Sequence, residues 1–254
     1  MLESIPLQPG IIYGPVNSRR LGRSLGLNIM PTAYKVCSFN CIYCHYSWTK
    51  YLKPDVAAYV KDLPTAEEVA QALEATLRTM EAPQYITFSG NGEATLHPDF
   101  PAIVDRVLAV RDRTGSPARV AIISNSTGLG APEVRQALQK LDVRIMKLDA
   151  GTAEVLSRIN RPAAGVTLEG ILEGLGQLSD VTLQSAFVAG EVTNAEDRDV
   201  ETWLAQVARV KPAFVQVYSL ENAPAMSTLR GVPRPRLEEI VAKVGRLGIK
   251  ARAY

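Results

Sequence analysis

The chain has 254 residues, 46% hydrophobic and 21% charged, with a formal net charge of +2. This is the composition of an ordinary soluble globule, and the charge is too mild to argue by itself for a nucleic-acid partner. No apolar run approaches the roughly 20 residues of a membrane span. The terminus Met-Leu-Glu-Ser-Ile-Pro has no basic stretch ahead of an apolar one, so the expectation is a cytoplasmic protein with no signal peptide and no membrane partner.

The length suits a single domain over 1–254. Residues 1–25, rich in Gly, Pro and Arg, read as an irregular N-terminal arm ending in Ser18-Arg-Arg-Leu-Gly-Arg-Ser24. Leu25 to Met30 predicts a first strand, closed by Pro31, and a loop over 31–64 follows. Thr65-Ala-Glu-Glu68 is a capping box opening a helix whose face carries Val69, Leu73, Leu77 and Met80. Tyr85 to Ser89 reads as a strand that ends in the turn Gly90-Asn91-Gly92-Glu93. Phe100, Ile103, Val104, Val107 and Leu108 then mark a helix.

Val120 to Ser124 is the next strand, and Pro132 opens a helix bearing Val134, Leu138 and Leu141. Val143 to Leu148 follows as a strand, with short helical segments near 152–159 and 167–178. Val181 to Val188 is a strand before a helix striped by Val200, Trp203, Leu204, Val207 and Val210. Phe214 to Tyr218 precedes the last helix, lined by Leu237, Ile240, Val241, Val244 and Leu247, and Ile249 to Ala253 is a candidate terminal strand.

Strand and helix alternate about six times, which demands parallel strands joined by right-handed crossovers. The expected fold is therefore α/β, a partial (β/α)6 TIM-type barrel whose missing units leave a lateral gap wide enough for a large substrate. Catalytic groups gather at the carboxyl ends of such strands. The polar motifs lie at those ends: the cysteine loop, Gly90 to Glu93, Ser124-Asn125, Lys147 to Asp149, and Gln216 to Ser219.

All three cysteines of the chain stand in the octapeptide Cys37-Ser-Phe-Asn-Cys41-Ile-Tyr43-Cys44. In a reducing compartment such a cluster reads as metal ligands, and an odd number leaves a thiol over in any disulfide scheme. Three thiolates can hold three corners of a cubane 4Fe–4S cluster, leaving the fourth iron open for chemistry. The alternative is a non-catalytic structural zinc module, which wants four ligands and would have to recruit His45 or His97.

Each further candidate has a plainer reading. The Gly90–Glu93 turn can simply tolerate positive φ. Asp149 can cap a helix before Thr152, Ser124 and Asn125 can be turn residues, and His97 can be a loop histidine before a helix. Arg19, Arg20 and Arg23 read either as a solvated arm or as a clamp for a phosphate or carboxylate, and Arg158 and Arg161 carry the same two readings. Lys147 lies in an otherwise apolar strand, so its charge meets a partner or its pKa falls.

With these residues in view, Cys37-x3-Cys41-x2-Cys44 with aromatic Tyr43 resembles the signature of the radical S-adenosylmethionine superfamily. Ser89-Gly-Asn-Gly-Glu93 resembles that superfamily's Gly-Gly-Glu motif. Together with Ser18 to Gly26, Ser89 to Pro98, Leu148-Asp-Ala150 and Arg158 to Pro162, these motifs resemble a subfamily related to wyosine-type tRNA-base synthases. The resemblance implies one 4Fe–4S cluster on Cys37, Cys41 and Cys44, with S-adenosylmethionine as cofactor. Its reductive cleavage would give a 5′-deoxyadenosyl radical that takes hydrogen from a substrate. It further implies Tyr43 near the adenine, Gly90, Asn91, Gly92 and Glu93 on the methionine ammonium, Ser124 and Asn125 on its carboxylate or ribose, and Asp149 on ribose hydroxyls. An electron donor such as a flavodoxin or ferredoxin is implied too. Because no cysteine remains for a second cluster, a small-molecule or peptide substrate is expected, with tRNA-base modification as the alternative.

Overall fold

The computed structural model describes residues 5–254. The first four residues, which open the terminus read above as lacking a signal peptide, lie outside the described residues. Strands β1 (Ile12–Ser18) and β2 (Gly22–Leu27) form an antiparallel hairpin. Short strands β3 (Val36–Cys37) and β4 (Tyr51–Leu52) pair within the cysteine loop, ahead of α1 (Ala66–Thr79). The chain then alternates through β5 (Tyr85–Phe88), α2 (Phe100–Arg113), β6 (Arg119–Ser124), α3 (Pro132–Gln139) and β7 (Val143–Lys147). Two short helices follow, α4 (Ala153–Ile159) and α5 (Leu168–Leu175), before β8 (Val181–Ala186) and β9 (Val188–Gly190). The last elements are α6 (Asp197–Val210), β10 (Phe214–Tyr218), β11 (Leu229–Gly231), α7 (Arg234–Gly245) and β12 (Ala251–Ala253).

The main sheet runs β1-β2-β5-β6-β7-β8-β10-β12 and is parallel from β2 to β12, the expected partial barrel. Two features depart from the sequence reading. The arm is not irregular: β1 adds an antiparallel edge to the sheet. Most of its side chains face solvent, so it shows none of the apolar alternation that marks a half-buried strand. The first barrel strand also ends at Leu27, three residues before Met30. Asn28 accepts the N–H groups of Met30 and Asn91 at its side-chain oxygen, drawing the backbone out of the ladder.

The strands obey a strict division of faces. Leu25, Leu27, Ile86, Phe88, Val120, Ile122, Met146, Leu183, Val215 and Val217 point outward into one core with Val69, Leu73, Ile103, Val107, Trp203 and Ile240 from the helices. Burying each such large side chain contributes roughly 1.5–3 kcal/mol. The inner face is mostly polar. Ser24 and Thr87 share a hydrogen bond of 2.7 Å, and Gln184 donates to Gln216 at 2.8 Å. A small apolar cluster of Leu21, Ala121 and Ile145 fills the interior, and the space beyond it stays open. No helix among the described residues is long and apolar enough to cross a membrane.

Candidate active site

The cysteine octapeptide is clamped by three distant segments. Gly92 bridges Val36 at φ +140°, and a Cβ there would stand 1.9 Å from the Val36 carbonyl oxygen, so only glycine lets the turn lie on the loop. The carbonyl of Ser38 accepts from Ala163 N–H at 2.8 Å, Asn40 N–H donates to the Asn160 carbonyl at 2.9 Å, and Ile42 N–H donates to Ile159 at 3.0 Å. Met226 N–H donates to the Ile42 carbonyl at 2.9 Å. Buried Phe39 and Ile42 alternate with the cysteines and anchor the loop in the core.

Each sulfur receives its own donor. Asn125 Nδ2 lies 3.5 Å from Cys37 Sγ, Asn160 Nδ2 lies 3.4 Å from Cys41 Sγ, and Lys35 Nζ lies 3.1 Å from Cys44 Sγ. Burial pushes the Cys37 thiol up to about 12 and the Cys41 thiol to about 11. Burial pulls Lys35 down, but the neighbouring Cys44 and Cys37 sulfurs outweigh it and raise its pKa. Among the described residues no group of three His, Cys, Asp or Glu side chains is placed to hold a metal ion. The three thiols instead line one cavity of about 440 Å³. An all-sulfur donor set spread around a cavity fits a cluster with several irons rather than one tetrahedral zinc.

The turn after β5 and the end of β6 are joined through Glu93. Its Oε1 accepts from Thr95 N–H at 3.0 Å, Thr95 Oγ1 at 2.7 Å and Ser124 Oγ at 2.8 Å, while Oε2 accepts Asn125 N–H at 2.6 Å. Burial raises the Glu93 pKa in spite of these donors. Gly90, Gly92, Glu93, Ser124 and Asn125 all reach the cavity. Asn91 does not. Its side chain holds the Gln8 backbone and donates to the Pro31 carbonyl at 3.1 Å, tying the arm down behind the turn.

Tyr43 lines the cavity while its hydroxyl bonds Asp149. Asp149 also accepts from Asn160 Nδ2 and from Ala186 N–H, both at 2.7 Å, and stands behind the wall rather than on it. It caps no helix: Thr152 fills that role for α4. Trp203, 1% exposed, supports this corner by donating Nε1–H to the Leu148 carbonyl at 2.9 Å.

Lys147 meets partners, and its pKa rises. Burial pulls it down, but Asp149 at 3.7 Å and the Tyr218 hydroxyl at 2.6 Å more than compensate. Arg19 and Arg20 both pair with Glu221 at 2.6 Å, whereas Arg23 pairs with Glu81 at 3.2 Å. Arg158 pairs with Asp199 at 2.6 Å and Arg161 lies 5.1 Å over the Trp48 ring, so of these arginines only Arg20 lines the cavity. His45 lines it as well, and burial together with Lys35 and Lys147 pushes its pKa down to about 4. His97 instead braces the start of α2, bonding the Pro64 carbonyl and Asp99 N–H at 3.0 Å each. Sequence reasoning missed Lys35, Asn160 and Glu221 as parts of this site. Lys35 stands two residues before Cys37, Asn160 lies inside the quoted Arg158 to Pro162 segment with no role assigned to it, and nothing signalled Glu221.

Comparison with protein families matches residues 32–204 to the Radical SAM superfamily. The UPF0026 protein slr1464 of Synechocystis sp. is 33% identical over 207 residues, 81% of this chain and 74% of that one. A UPF0026 protein of Helicobacter pylori is 29% identical over 174 residues, and there the match spans only 53% of the relative's length. Among solved structures, a radical SAM methyltransferase from Sphaerobacter thermophilus superposes with a TM-score of 0.63 at 14% identity, covering 91% of this chain and 65% of that one. TYW1 with a lysine-pyruvate adduct bound gives 0.61 at 14% identity, covering 88% and 73%. SuiB of Streptococcus suis bound to precursor peptide SuiA gives 0.64 at 12%, covering 90% and 48%. At such identities the likeness is one of fold.

Proposed function

Since this chain belongs to the Radical SAM superfamily and is therefore an enzyme of S-adenosylmethionine-dependent radical chemistry, we propose that it works with a single 4Fe–4S cluster on Cys37, Cys41 and Cys44. In this reading its substrate is a small molecule or a peptide. The observation that carries the proposal is the trio of thiols on one loop, each sulfur met by a separate donor at the carboxyl mouth of a parallel barrel. Bound together there, the cluster and S-adenosylmethionine would supply a 5′-deoxyadenosyl radical by reductive cleavage of the sulfonium S–C5′ bond. The electron would come from a reductant such as a flavodoxin or ferredoxin.

The chain's own residues would bind and orient. Cys37, Cys41 and Cys44 supply thiolates, and Asn125, Asn160 and Lys35 share the negative charge on each sulfur, a lever on affinity and potential. Gly90 and Gly92 leave bare backbone at the end of β5, where a methionine head group can approach. Glu93 Oε2 takes one donor only, so a lone pair remains for an ammonium. Ser124 and Asn125 stand beside it for the carboxylate or ribose. Tyr43, its hydroxyl held by Asp149, offers its ring to the adenine, and Asp149 acts through Tyr43.

Anaerobic reconstitution followed by dithionite and S-adenosylmethionine should yield 5′-deoxyadenosine, and Cys41→Ala should yield none. A brown wild-type protein that makes no more than the variant overturns the reading. The motif resemblance to wyosine-type tRNA-base synthases keeps tRNA-base modification as the rival on substrate. All three cysteines serve one cluster here, and tight, salt-sensitive tRNA binding would favour that rival.

A further inference from the structure

The cysteine loop lends its thiols to the cavity and its backbone to an outer layer, residues 47–53 and 160–162. Strand β4 pairs in parallel with β3, Leu52 opposite Cys37, and Lys53 N–H donates to the Cys37 carbonyl at 3.0 Å. Ser47 N–H donates to the Cys44 carbonyl at 3.1 Å. The Ser47 carbonyl in turn accepts at 2.9 Å from Lys35 Nζ, the ammonium that also meets Cys44 Sγ. Buried Thr49 fixes the register, donating N–H to Asn40 Oδ1 at 2.7 Å and its hydroxyl to the Phe39 carbonyl at 2.8 Å. Phe39 also bridges Pro162. The outer layer thus lies one strand, about 5 Å, from the backbone of the cysteines.

Trp48, Lys50, Lys53 and Arg161 are exposed on that layer, and none of them lines the cavity. Trp48 is 39% exposed, a large share for a residue type that is usually well buried. Arg161 lies 5.1 Å over its ring, and Lys50 Nζ lies 5.6 Å and 5.3 Å from the Tyr34 and Tyr51 ring centroids. A left-handed backbone at Arg161, φ +47°, lets Asn160 turn inward to Cys41 Sγ while Arg161 faces solvent. Lys50, Lys53 and Arg161 make no ion pair among the described residues. On the helices, by contrast, Arg78, Arg111, Arg113, Arg209 and Arg236 all meet carboxylates. Asp55 is the acid next in sequence to Lys53, and it accepts the Ala57 N–H.

With cofactor and reactant filling the cavity, an electron has to enter through the loop from outside. Cations answered only by aromatic rings leave their charge to act outward. Opposite charge on a partner then speeds its encounter, and an exposed tryptophan anchors it. A nucleic acid also seeks cations, but a nucleotide seated on residues that do not line the cavity gains no access to the reacting atoms. Resting on the reading that Cys37, Cys41 and Cys44 hold a cluster, we propose that Trp48, Lys50, Lys53 and Arg161 form the docking face for an acidic protein that carries single electrons. One electron leaves the reduced carrier, which is oxidised, and enters the cluster, which is reduced; no atom or proton moves.

The test mixes the full chain, anaerobically reconstituted, with three separate reductants: a reduced acidic flavodoxin, a reduced acidic ferredoxin and dithionite. Stopped-flow absorbance reads the rate of cluster reduction, and calorimetry reads binding of each oxidised carrier. At least one carrier should bind and reduce the cluster, at a rate that falls about fivefold or more between about 50 and 300 mM salt. Lys50→Glu combined with Lys53→Glu should slow that carrier about tenfold or more, and Trp48→Ala about threefold. Lys50→Arg combined with Lys53→Arg should keep most of the rate. Iron content and the dithionite rate should move less than about twofold in every variant.

The docking face is overturned if neither carrier binds, or if charge reversal leaves carrier binding and reduction unchanged. It is equally overturned if bulk tRNA binds and is lost with the same reversals while the carriers do not respond, which would assign the face to RNA. Matching thermal melts exclude unfolding as the cause, and Arg161→Glu decides the matter if the double variant does not fold. Dithionite separates this inference from the one beneath it. A chain that makes no 5′-deoxyadenosine with dithionite, yet loses its carrier on charge reversal, overturns the radical reading alone. A chain that makes 5′-deoxyadenosine with dithionite and binds neither carrier overturns the docking face alone.

Discussion

Arg20 Nη1 lies 2.6 Å from Glu221 Oε1, and the pair joins residues 201 positions apart. Arg20 belongs to the β1–β2 turn and Glu221 follows β10, so the contact crosses between the two sides of the open sheet. The lateral gap expected of an incomplete barrel is therefore crossed by an ion pair. Glu221→Gln should remove the partner of both Arg19 and Arg20, costing about 0.5–1 kcal/mol because the pair is partly solvated. Hydrogen exchange should then quicken in residues 18–22 and 219–222 and stay constant in β6. Unchanged exchange at both ends would show that the pair does not hold the gap.

Gly92 should tolerate no side chain. Gly92→Ala places a methyl against the Val36 carbonyl at φ +140°, with strain of about 1–3 kcal/mol. A lower melting temperature and reduced iron uptake should appear together, since the displaced backbone leads directly into Cys37.

Glu93 closes a fully buried knot of four donors. Glu93→Ala leaves those donors unmet and should cost about 3–5 kcal/mol, whereas Glu93→Gln keeps an acceptor oxygen and should cost less. Chemical denaturation separates the two. Equal losses would mean that the acceptor oxygen and the volume glutamine retains contribute nothing without the carboxylate.

The His97 imidazole is held below its ordinary pKa of 6.5 by burial, against the pull of the Pro64 carbonyl and Asp99. The hydrogen bonds assign the neutral tautomer, with Nε2–H donated to Pro64 and Nδ1 accepting Asp99 N–H. The unfolded chain binds this proton more readily than the folded one. Stability is therefore full above about 6.5 and declines as pH falls from 6.5 toward the lowered folded value. Denaturation midpoints of His97→Gln should show a shallower acid slope than wild type between about pH 7 and 5.

Lys35 should control how firmly a cluster is kept. Lys35→Met removes the donor to Cys44 Sγ, and loss of such an outer partner typically weakens metal retention about tenfold or more. The rate at which a chelator bleaches the reconstituted protein measures it directly.

How far these groups could be foreseen depended on the range of the signal. Core-facing helix residues such as Leu73, Ile103, Val107 and Trp203 repeat at helical spacing, so the barrel was legible from periodicity and the alternation of strand and helix. The cysteine loop and glycine turn were legible because their chemistry is packed into a few consecutive residues. The hairpin strand β1 escaped because a solvated strand has no pattern to show. Asn160 and Glu221 escaped because their partners, Cys41 and Arg20, are more than a hundred residues distant in the chain. Asn91 was legible as part of the turn but not in its orientation, which depends on the arm folding back onto it.

The division of strand faces has an evolutionary consequence. Cohesion resides in Leu25, Ile86, Val120, Leu183 and their outward neighbours, whereas whatever enters the barrel meets Thr87, Lys147, Gln184 and Tyr218. Exchanging an inner polar side chain for another leaves the apolar interlayer intact. Descendants of such a chain can thus acquire new reactants by rewriting a handful of lining positions while inheriting the frame unchanged.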